Sequence, residues 1–294
     1  MATQTKYIGR FAPTPTGYLH MGSLVAALAS YLDAKANQGK WLVRIDDIDP
    51  PREVAGASDS ILKCLERFGL NWDDSVVYQS KQNDKYEAYL AELAQNTYRC
   101  ECSRKMIGSG LYAGTCFEKS IEPSKPTSVR LNVAGALVEF NDRIQSLQTE
   151  QASEDFVIKR KDNLWSYHLA VVVDDYLAGV TDVVRGIDLM DSTFNHIHLQ
   201  KMLGFNQPSY AHIPVVIQAN GQKLSKQNMA VPVGVNAKSV ERELKLALSL
   251  LGISVEDAVN VKDVLDLAVK SWNIEKLKGI EVVSCNVGGV PLKG

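Results

Sequence analysis

Apolar residues along this chain form either short continuous runs or a helical repeat. The runs YIGRF at 7–11 and WLVRI at 41–45 predict two short buried strands. Between them, apolar residues recur every three or four positions from Gly22 to Gln38, and Gly39 is placed to end a helix. Two strands joined through a helix by short links predict a parallel α/β sheet.

The second half of the chain continues this pattern. Residues 58–68 and 83–95 have helical spacing. Between 156 and 186, the segments VIKR, LAVVVDD and VTDVVRG predict three further strands, and SYAHIPVVI at 209–217 predicts another. These segments therefore extend the α/β sheet.

The pattern also predicts a division into domains. Residues 98–150 contain three of the five cysteines, several glycines and only short strand-like pieces, which predicts an inserted subdomain. The flanking segments 1–97 and 151–235 would then form one α/β domain. Helical spacing from Asn236 to Gly252 predicts a small helical C-terminal subdomain over 236–294.

Composition adds limits rather than a function. The chain has 294 residues, of which 45% are hydrophobic and 22% charged, as in an ordinary globular protein. Its formal net charge is −2, so a nucleic-acid partner must be held by a local basic patch. The longest strongly apolar run, 169–173, is too short to cross a membrane, and the first residues lack the apolar core of a secretory signal. An odd number of cysteines favours a reducing, cytoplasmic location.

The segment GRFAPTPTGYLHMGSL at 9–24 is the first candidate for chemistry. A helix that begins near Gly22 directs free N–H groups and its positive dipole end at the preceding turn, which favours binding of a phosphate. His20 would donate a hydrogen bond there, while Pro13 and Pro15 would hold the loop rigid. The alternative is a tight strand-to-helix connection with a surface histidine. The G-x-G-x-x-G fingerprint is absent from this segment, so a Rossmann oxidoreductase is not supported.

Three motifs together resemble a known family. PTPTGYLHMGS resembles the "HIGH" signature of class I aminoacyl-tRNA synthetases, with His20 to Ser23 at the signature positions. RIDDIDPPR at 44–52 resembles the RIEDxDxxR segment of glutamyl- and glutaminyl-tRNA synthetases, and KLSKQ at 223–227 resembles their "KMSKS" loop. The resemblance covers the chain from Tyr7 to Ala230. It implies a Rossmann-like class I synthetase catalytic domain.

Finer features resemble one branch, the glutamyl-Q tRNA(Asp) synthetase family. These features are DPPREV at 49–54 and KLSKQN at 223–228. That family is a shortened paralogue of glutamyl-tRNA synthetase, and a length of 294 residues leads us to expect no anticodon-binding domain here. The resemblance implies ATP-dependent activation of L-glutamate without tRNA, followed by transfer of glutamate to queuosine in the anticodon of tRNA(Asp). We also expect a monomer with no membrane partner.

The phosphate chemistry needs donors and cations because both reactants are anions. The resemblance implies that His20, Gly22 and Lys226 are catalytic. It implies that ATP, used as a substrate with Mg²⁺, contacts these three residues together with Asp188 and Lys223. A lysine pair such as that in KLSK can equally be a solvated basic turn.

Selection of glutamate needs a cation that faces its side-chain carboxylate. Arg10 ends the first predicted strand and Arg185 follows the VTDVV strand, and open α/β sheets place ligands at strand ends. The planar arginine fork suits a carboxylate, although a strand-end arginine can also form a surface ion pair. Asp46 departs from the family, which has glutamate there, so its contact must shift, recruit a water or weaken. The resemblance implies glutamate contacts at Arg10, Phe11, Ala12, Pro13, Thr14, Asp46, Tyr167 and Arg185.

The cysteines of the insertion are candidates for a metal site. Cys100, Cys102 and Cys116 lie within 17 residues of a glycine-rich segment, but their spacing is not a common zinc pattern and reduced bystander cysteines are the alternative. The resemblance implies one structural zinc held by a C-x-C…Y-x-x-x-C set, which adds Tyr112. His168 lies in the predicted LAVVVDD strand region and is expected to be a packing residue.

Two rival functions remain open at this point. One is a short glutamyl-tRNA synthetase that charges a tRNA 3′ end, and the other is a catalytically silent, RNA-binding protein. The run Lys159, Arg160 and Lys161 could contact an RNA backbone or could be a solvated strand end.

Overall fold

The computed structural model describes residues 6–109, 111–133, 135–218, 221, 231–236, 238–256 and 258–285. The strands are β1 Ile8–Phe11, β2 Lys40–Ile45, β3 Val77–Tyr78, β4 Thr97–Cys100, β5 Ser128–Leu131, β6 Leu137–Asp142, β7 Ser146–Gln151, β8 Phe156–Lys159, β9 Asp182–Gly186, β10 Ser209–Ile213, β11 Val215–Gln218 and β12 Val282–Cys285. The helices are α1 Met21–Ala36, α2 Ala57–Arg67, α3 Asn83–Glu92, α4 Arg104–Ile107, α5 Tyr167–Leu177, α6 Met190–Met202, α7 Val240–Leu250 and α8 Val261–Ser271.

Parallel strand pairs form the centre of the fold. One sheet has the order β1-β2-β3, and a second has the order β7-β6-β10-β9 with β10 parallel to both of its neighbours. The Thr181 backbone N–H, just before β9, donates to the Ile8 carbonyl at 2.9 Å, so β1 and β9 lie side by side. Together the two sheets place the carboxyl ends of β1, β9 and β10 along one edge.

The predicted β1–α1–β2 unit is confirmed, and with it the α/β architecture. The apolar face of α1 is fully buried at Leu24, Leu28 and Leu32, which lie in one core with α7 and α8. Gly39 ends the connection because a Cβ there would collide with the Tyr7 carbonyl oxygen, while the Lys40 N–H needs that oxygen at 2.9 Å to start β2.

The predicted strand LAVVVDD is wrong, because these residues form helix α5. Ser166 caps the helix, since its hydroxyl accepts a hydrogen bond from the His168 N–H at 3.4 Å. Residues 169–175 are all buried, and 169–173 are apolar, so the helix shows a continuous apolar run without an exposed polar stripe. Periodicity alone does not separate such a buried helix from a buried strand. His168 therefore lies in the first turn of a helix.

The predicted strand at 209–217 is two strands that belong to different sheets. β10 pairs with β9, whereas β11 pairs with β12 near the end of the described chain. Pro214 stands between them and has no N–H to continue the hydrogen-bond ladder. The chain therefore changes partners at the proline.

The predicted division into domains remains a prediction. Several strand pairs join residues on opposite sides of the predicted boundaries. The cysteine-containing sheet has the order β4-β5-β8 and is antiparallel, so it includes residues 156–159. Within 98–150, however, β6 pairs with β10 of the central sheet. The C-terminal part contributes two helices, but its strand β12 pairs with β11. No helix in the described ranges has the length and apolar character needed to cross a membrane.

Asp33, buried on α1, joins four segments of the chain. Its carboxylate accepts hydrogen bonds from Tyr7 at 2.5 Å, from Trp272 at 2.9 Å, and from both Nη atoms of Arg143 at 2.6 and 3.0 Å. Tyr7 precedes β1, Arg143 follows β6, and Trp272 follows α8. A single carboxylate therefore ties the C-terminal helices to both central sheets.

We expect Asp33→Ala to lower the free energy of unfolding by about 3 kcal/mol, because it leaves a guanidinium, an indole and a phenol without their acceptor. Urea unfolding followed by circular dichroism measures the change. Asp74→Ala is the control, since Asp74 pairs with Lys40 at the surface, and its unfolding midpoint should match the wild type. Equal midpoints for Asp33→Ala and the wild type would contradict the role of Asp33.

Candidate active site

A cavity of about 350 Å³ lies at the carboxyl ends of β1 and β9, beside the start of α1. This is the edge at which open α/β sheets bind ligands. Asp46 is not among the lining residues, and Lys223 and Lys226 lie outside the described residues. Of the residues singled out from sequence, the following line the cavity: Arg10, Phe11, Ala12, Pro13, Thr14, His20, Gly22, Tyr167, Arg185 and Asp188.

His20 caps helix α1 at the mouth of this cavity. Its Nδ1 accepts a hydrogen bond from the Ser23 N–H at 3.2 Å, and its Nε2 lies 3.0 Å from the Ser23 hydroxyl. Gly22 and Ser23 line the cavity beside it, so the first turn of a 16-residue helix faces the ligand space. The partial positive charge of that helix end favours an anion there.

The chain on both sides of residues 219–230 lies at the same cavity. Before this segment, Val215 and Val216 of β11 line the cavity wall. After it, the Val233 N–H donates to the Leu19 carbonyl at 3.0 Å, and Pro232 forms a β-bridge with His20. The described flanks of the KLSKQ segment are therefore fixed beside the cap of α1.

At the cavity wall, Arg10 and Arg44 share the buried carboxylate of Asp175, and Arg44 also pairs with Asp46 and, at 3.8 Å, with Asp174. Arg10 Nε lies 3.2 Å from each carboxylate oxygen of Asp175. Arg44 Nη1 donates to Asp175 at 2.6 Å, and Arg44 Nε donates to Asp46 at 2.6 Å. Burial acts to raise the pKa of Asp175, but Arg10 and Arg44 outweigh it and hold that pKa below its usual range. Arg10 is therefore held within a buried ionic network and is not a surface ion pair.

Asp46 lies one layer behind the cavity wall. Its carboxylate accepts from Arg44 Nε and Nη2, at 2.6 and 3.3 Å, and Arg44 itself lines the cavity. Burial raises the pKa of Asp46 to about 6, although the Arg44 charge opposes this shift. The short aspartate side chain thus stays with its arginine partner.

Arg185 differs from Arg10 and Arg44 because its polar contacts are with groups other than carboxylates. Its Nη2 donates to the Thr193 hydroxyl at 2.6 Å, its Nη1 to the Tyr167 hydroxyl at 3.3 Å, and its Nε to His212 Nε2 at 3.2 Å. Only 5% of the residue is exposed. Within the described part of the chain, no carboxylate lies within ion-pair distance of it.

The histidines around Arg185 do not alter the charge at this position. Burial, together with the Arg185 charge, lowers the pKa of His196 and of His168. Burial also lowers the pKa of His212, although its partner Asp142 opposes the shift. Neutral rings therefore surround a buried positive charge, and a bound anion would supply the missing counter-charge.

The three cysteines of the insertion converge in a separate cluster. Their sulfur atoms lie within 4.8 Å of one another, and Cys102 and Cys116 are 3.5 Å apart. The Tyr112 hydroxyl lies 3.4 Å from Cys100 Sγ and accepts from the Cys116 N–H at 2.9 Å. Zinc–sulfur bonds of about 2.3 Å in a tetrahedron place neighbouring donors at similar separations. The donor set fits one zinc ion.

The basic run at 159–161 is largely neutralised by carboxylates. Lys159 pairs with Glu87 at 2.5 Å, and Arg160 pairs with Asp162 at 2.7 Å and with Asp49 at 3.3 Å. Only Lys161 of the run is an exposed residue without such a pair in the described ranges. The run therefore offers less positive charge to an RNA backbone than its sequence suggests.

Sequence reasoning did not select Arg44, Asp175, Asp142 or His212. Each is a charged or titratable residue in a segment that also contains strand-forming or core apolar residues, namely WLVRI, VVVDDY, VEFND and YAHIPVV. Such residues are seldom fully buried unless they are paired. A charged residue among apolar neighbours could therefore have indicated a buried, paired side chain, but it does not indicate which residue is its partner.

Comparison with known proteins gives a consistent result. The family described as tRNA synthetases class I (E and Q), catalytic domain, matches residues 6–110 and 113–284. A glutamyl-Q tRNA(Asp) synthetase of Pseudomonas putida (strain GB-1) is 45% identical over 285 residues, which cover 94% of this chain and 96% of that protein. One of the same name from Serratia proteamaculans (strain 568) is 45% identical over 290 residues, covering 96% of this chain and 95% of that protein.

Solved structures share the fold. A glutamate-tRNA synthetase from Elizabethkingia anophelis superposes with a TM-score of 0.81 at 23% identity, covering 96% of this chain and 68% of that one. A glutamate tRNA ligase from Elizabethkingia meningosepticum, solved with its amino acid, gives a TM-score of 0.76 at 22% identity, covering 95% and 66%. At this identity the likeness concerns the fold alone.

Proposed function

This chain belongs to the class I tRNA synthetase catalytic-domain family of the glutamate and glutamine enzymes, and we propose that it activates L-glutamate and attaches it to queuosine in tRNA(Asp). The predicted α/β class I catalytic fold is confirmed. The glutamyl-Q tRNA(Asp) synthetase names of relatives at about 45% identity over most of both chains support this branch of the family.

The observation that carries the proposal is the unpaired charge of Arg185. A glutamate side-chain carboxylate in the cavity would accept hydrogen bonds from a buried guanidinium that no carboxylate of the described chain neutralises. The Tyr167 hydroxyl, 3.3 Å from Arg185 Nη1, would help to fix the same ligand. The glutamine side chain carries no negative charge and would leave this arginine uncompensated, which is costly in a buried site.

In the first step, an α-carboxylate oxygen of glutamate attacks the α-phosphorus of ATP, and pyrophosphate leaves. The product is glutamyl-adenylate. The first turn of α1, with His20 and Gly22, would bind the phosphates, and Asp188 at the cavity wall would lie near the ribose. Lys226 and Lys223 would neutralise charge on the phosphates, which Mg²⁺ accompanies. Their roles rest on the KLSKQ resemblance and on the position of its flanks.

In the second step, a ring hydroxyl of queuosine attacks the acyl carbon, and AMP leaves with the bonding electron pair. A single-stranded anticodon loop can present such a modified base to a pocket. The rival reaction, charging of a tRNA 3′ end, uses the same adenylate but another acceptor. A cytoplasmic location and a monomeric state remain predictions.

We also propose that Cys100, Cys102, Tyr112 and Cys116 hold one structural zinc ion. A bound zinc would cross-link β4 to the segment that contains Tyr112 and Cys116, in a part of the chain with a small apolar core of its own. The Arg130 guanidinium lies 3.7 Å above the Tyr112 ring. Its positive charge would there offset the negative charge of the thiolates.

The acceptor test decides between the two synthetase functions. We expect glutamate-dependent pyrophosphate exchange without tRNA, and labelled glutamate on tRNA(Asp) from cells that make queuosine but not on tRNA(Asp) from cells that lack it. Equal labelling of both tRNAs would contradict queuosine as the acceptor and support charging of the 3′ end. An absence of exchange with ATP and glutamate would instead support the silent RNA-binding alternative.

Glutamate binding should depend on pH through Asp46. Burial raises the pKa of this carboxyl to about 6, so it is ionised at pH 7.5 and becomes protonated as the pH falls through 6. Loss of this negative charge leaves the Arg44 guanidinium at the cavity wall less compensated, which weakens attraction for the glutamate ammonium group. We expect the KM for glutamate to rise below pH 6 in the wild type. Asp46→Asn should have a raised KM without that pH dependence, and an unchanged profile would contradict this role.

Elemental analysis of protein purified without chelator tests the metal proposal. We expect about one zinc per chain, which Cys100→Ser and Cys116→Ser should lose because each removes a thiolate donor. Cys285→Ser is the matched control, since Cys285 is buried in β12 outside the cluster, and it should retain the metal. Metal-free wild-type protein, or equal loss in the control, would overturn the assignment.

A further inference from the structure

Behind Arg185 lies a buried pair of residues that the proposed reaction does not use. Asp142 ends β6 and His212 lies on the adjacent strand β10. His212 Nδ1 is 2.6 Å from Asp142 Oδ2, and both side chains are fully inaccessible to solvent. On its other edge, His212 Nε2 lies 3.2 Å from Arg185 Nε. A chain of hydrogen bonds thus runs from a carboxylate, through an imidazole, to the candidate recognition arginine.

The two oxygens of Asp142 have different partners. Oδ1 accepts from three backbone N–H groups, those of Ile144 at 2.9 Å, Gln145 at 2.9 Å and His212 at 3.2 Å. Oδ2 faces the imidazole. The backbone donors therefore fix the rotation of the carboxylate and leave one oxygen for His212.

This arrangement assigns the tautomer of His212. A carboxylate oxygen accepts, so the ring proton lies on Nδ1, and in the neutral ring Nε2 is then an acceptor. Burial lowers the pKa of His212, in agreement with a neutral ring. Nε2 is thereby an acceptor, and it lies 3.2 Å from Arg185 Nε and 2.9 Å from the Thr193 hydroxyl. The other tautomer would place two N–H groups against each other.

We propose that Asp142 and His212 are positioning residues that orient the Arg185 guanidinium and so set the preference for a carboxylate over an amide substrate. The inference rests on the proposed function, because it concerns the arginine assigned there to glutamate. Thr193 and the Leu189 carbonyl hold Arg185 Nη2 at 2.6 and 3.2 Å, and the Tyr167 hydroxyl holds Nη1 at 3.3 Å, so His212 fixes the remaining nitrogen of the guanidinium group, Nε. Asp142 keeps His212 able to accept without placing a carboxylate against the arginine.

Asp142→Asn tests the tautomer with little change in shape. The three backbone donors will retain the amide oxygen at the Oδ1 position, which places the amide nitrogen against His212 Nδ1. The ring proton then moves to Nε2, which donates to the Thr193 hydroxyl and can no longer accept from Arg185 Nε–H. Nitrogen NMR of histidine-labelled protein should show this exchange of tautomer at one of the five histidines. An unchanged His212 tautomer would contradict the assignment.

Kinetics of pyrophosphate exchange test the consequence for the substrate. In Asp142→Asn we expect the KM for glutamate to rise about 10-fold or more, the size of one lost charge-assisted hydrogen bond, while kcat changes by less than about threefold. The preference for glutamate over glutamine should fall by a similar factor. Unchanged selectivity would overturn the inference.

Two substitutions of His212 separate orientation from packing. His212→Gln places an amide oxygen near the Nε2 position, so it can still accept from Arg185, whereas His212→Asn reaches only Asp142. We expect the KM of the glutamine variant to stay within about threefold of the wild type and that of the asparagine variant to rise about 10-fold. Equal losses in both would show that His212 only fills space. If thermal unfolding shows that Asp142→Asn does not fold, the two His212 variants still test whether His212 orients Arg185.

The wild-type control distinguishes this inference from the proposed function. Wild-type protein without glutamate-dependent exchange overturns both. If the wild type is active and both Asp142→Asn and His212→Asn keep its selectivity, only the positioning role is overturned.

Discussion

A guanidinium group buried away from water needs a counter-charge, and this constraint organises the candidate site. Arg10 and Arg44 meet it with Asp175 and Asp46, at distances between 2.6 and 3.2 Å. Arg185, equally buried, contacts hydroxyl, carbonyl and imidazole groups instead. Removing the charge from water is expensive unless a partner repays the cost. A ligand carboxylate is the partner that the proposed function supplies.

The fold places the Arg185 charge, which no carboxylate of the described residues pairs, beside an anion-binding helix end. Because β1, β9 and β10 run parallel, their carboxyl ends meet at one edge, and Arg185 on β9 reaches the cavity that the first turn of α1 also lines. The segment after 230 returns to pair with Leu19 and His20. One end of the cavity thus favours phosphate and the other a carboxylate, which is the geometry that an amino-acid adenylate requires.

The sequence pattern predicted those features that depend on residues close together in the chain. The β1–α1–β2 unit follows from spacing and from Gly39, and Arg10 and Arg185 were placed at strand ends. The helix α5 was mistaken for a strand because it is buried on all sides, and Pro214 divides what looked like one strand. The partners of Arg10 and Arg44 could not be predicted, because Asp175 is distant in sequence and its pairing is decided by how α5 packs against β1 and β2. The partner of Asp142 could not be predicted either. The predicted domain boundaries place Asp142 in the inserted subdomain 98–150, whereas β6 pairs with β10 of the central sheet.

The most direct measurement of the central claim is the position of the ligand carboxylate. A crystal structure with a non-hydrolysable glutamyl-adenylate analogue gives the distance from the analogue's side-chain carboxylate to the Arg185 guanidinium. We expect hydrogen bonds of about 3 Å between them, with the phosphate at the first turn of α1 and Arg10 still paired with Asp175. A side-chain carboxylate bound elsewhere, with Arg185 keeping only its present neutral partners, would contradict that claim.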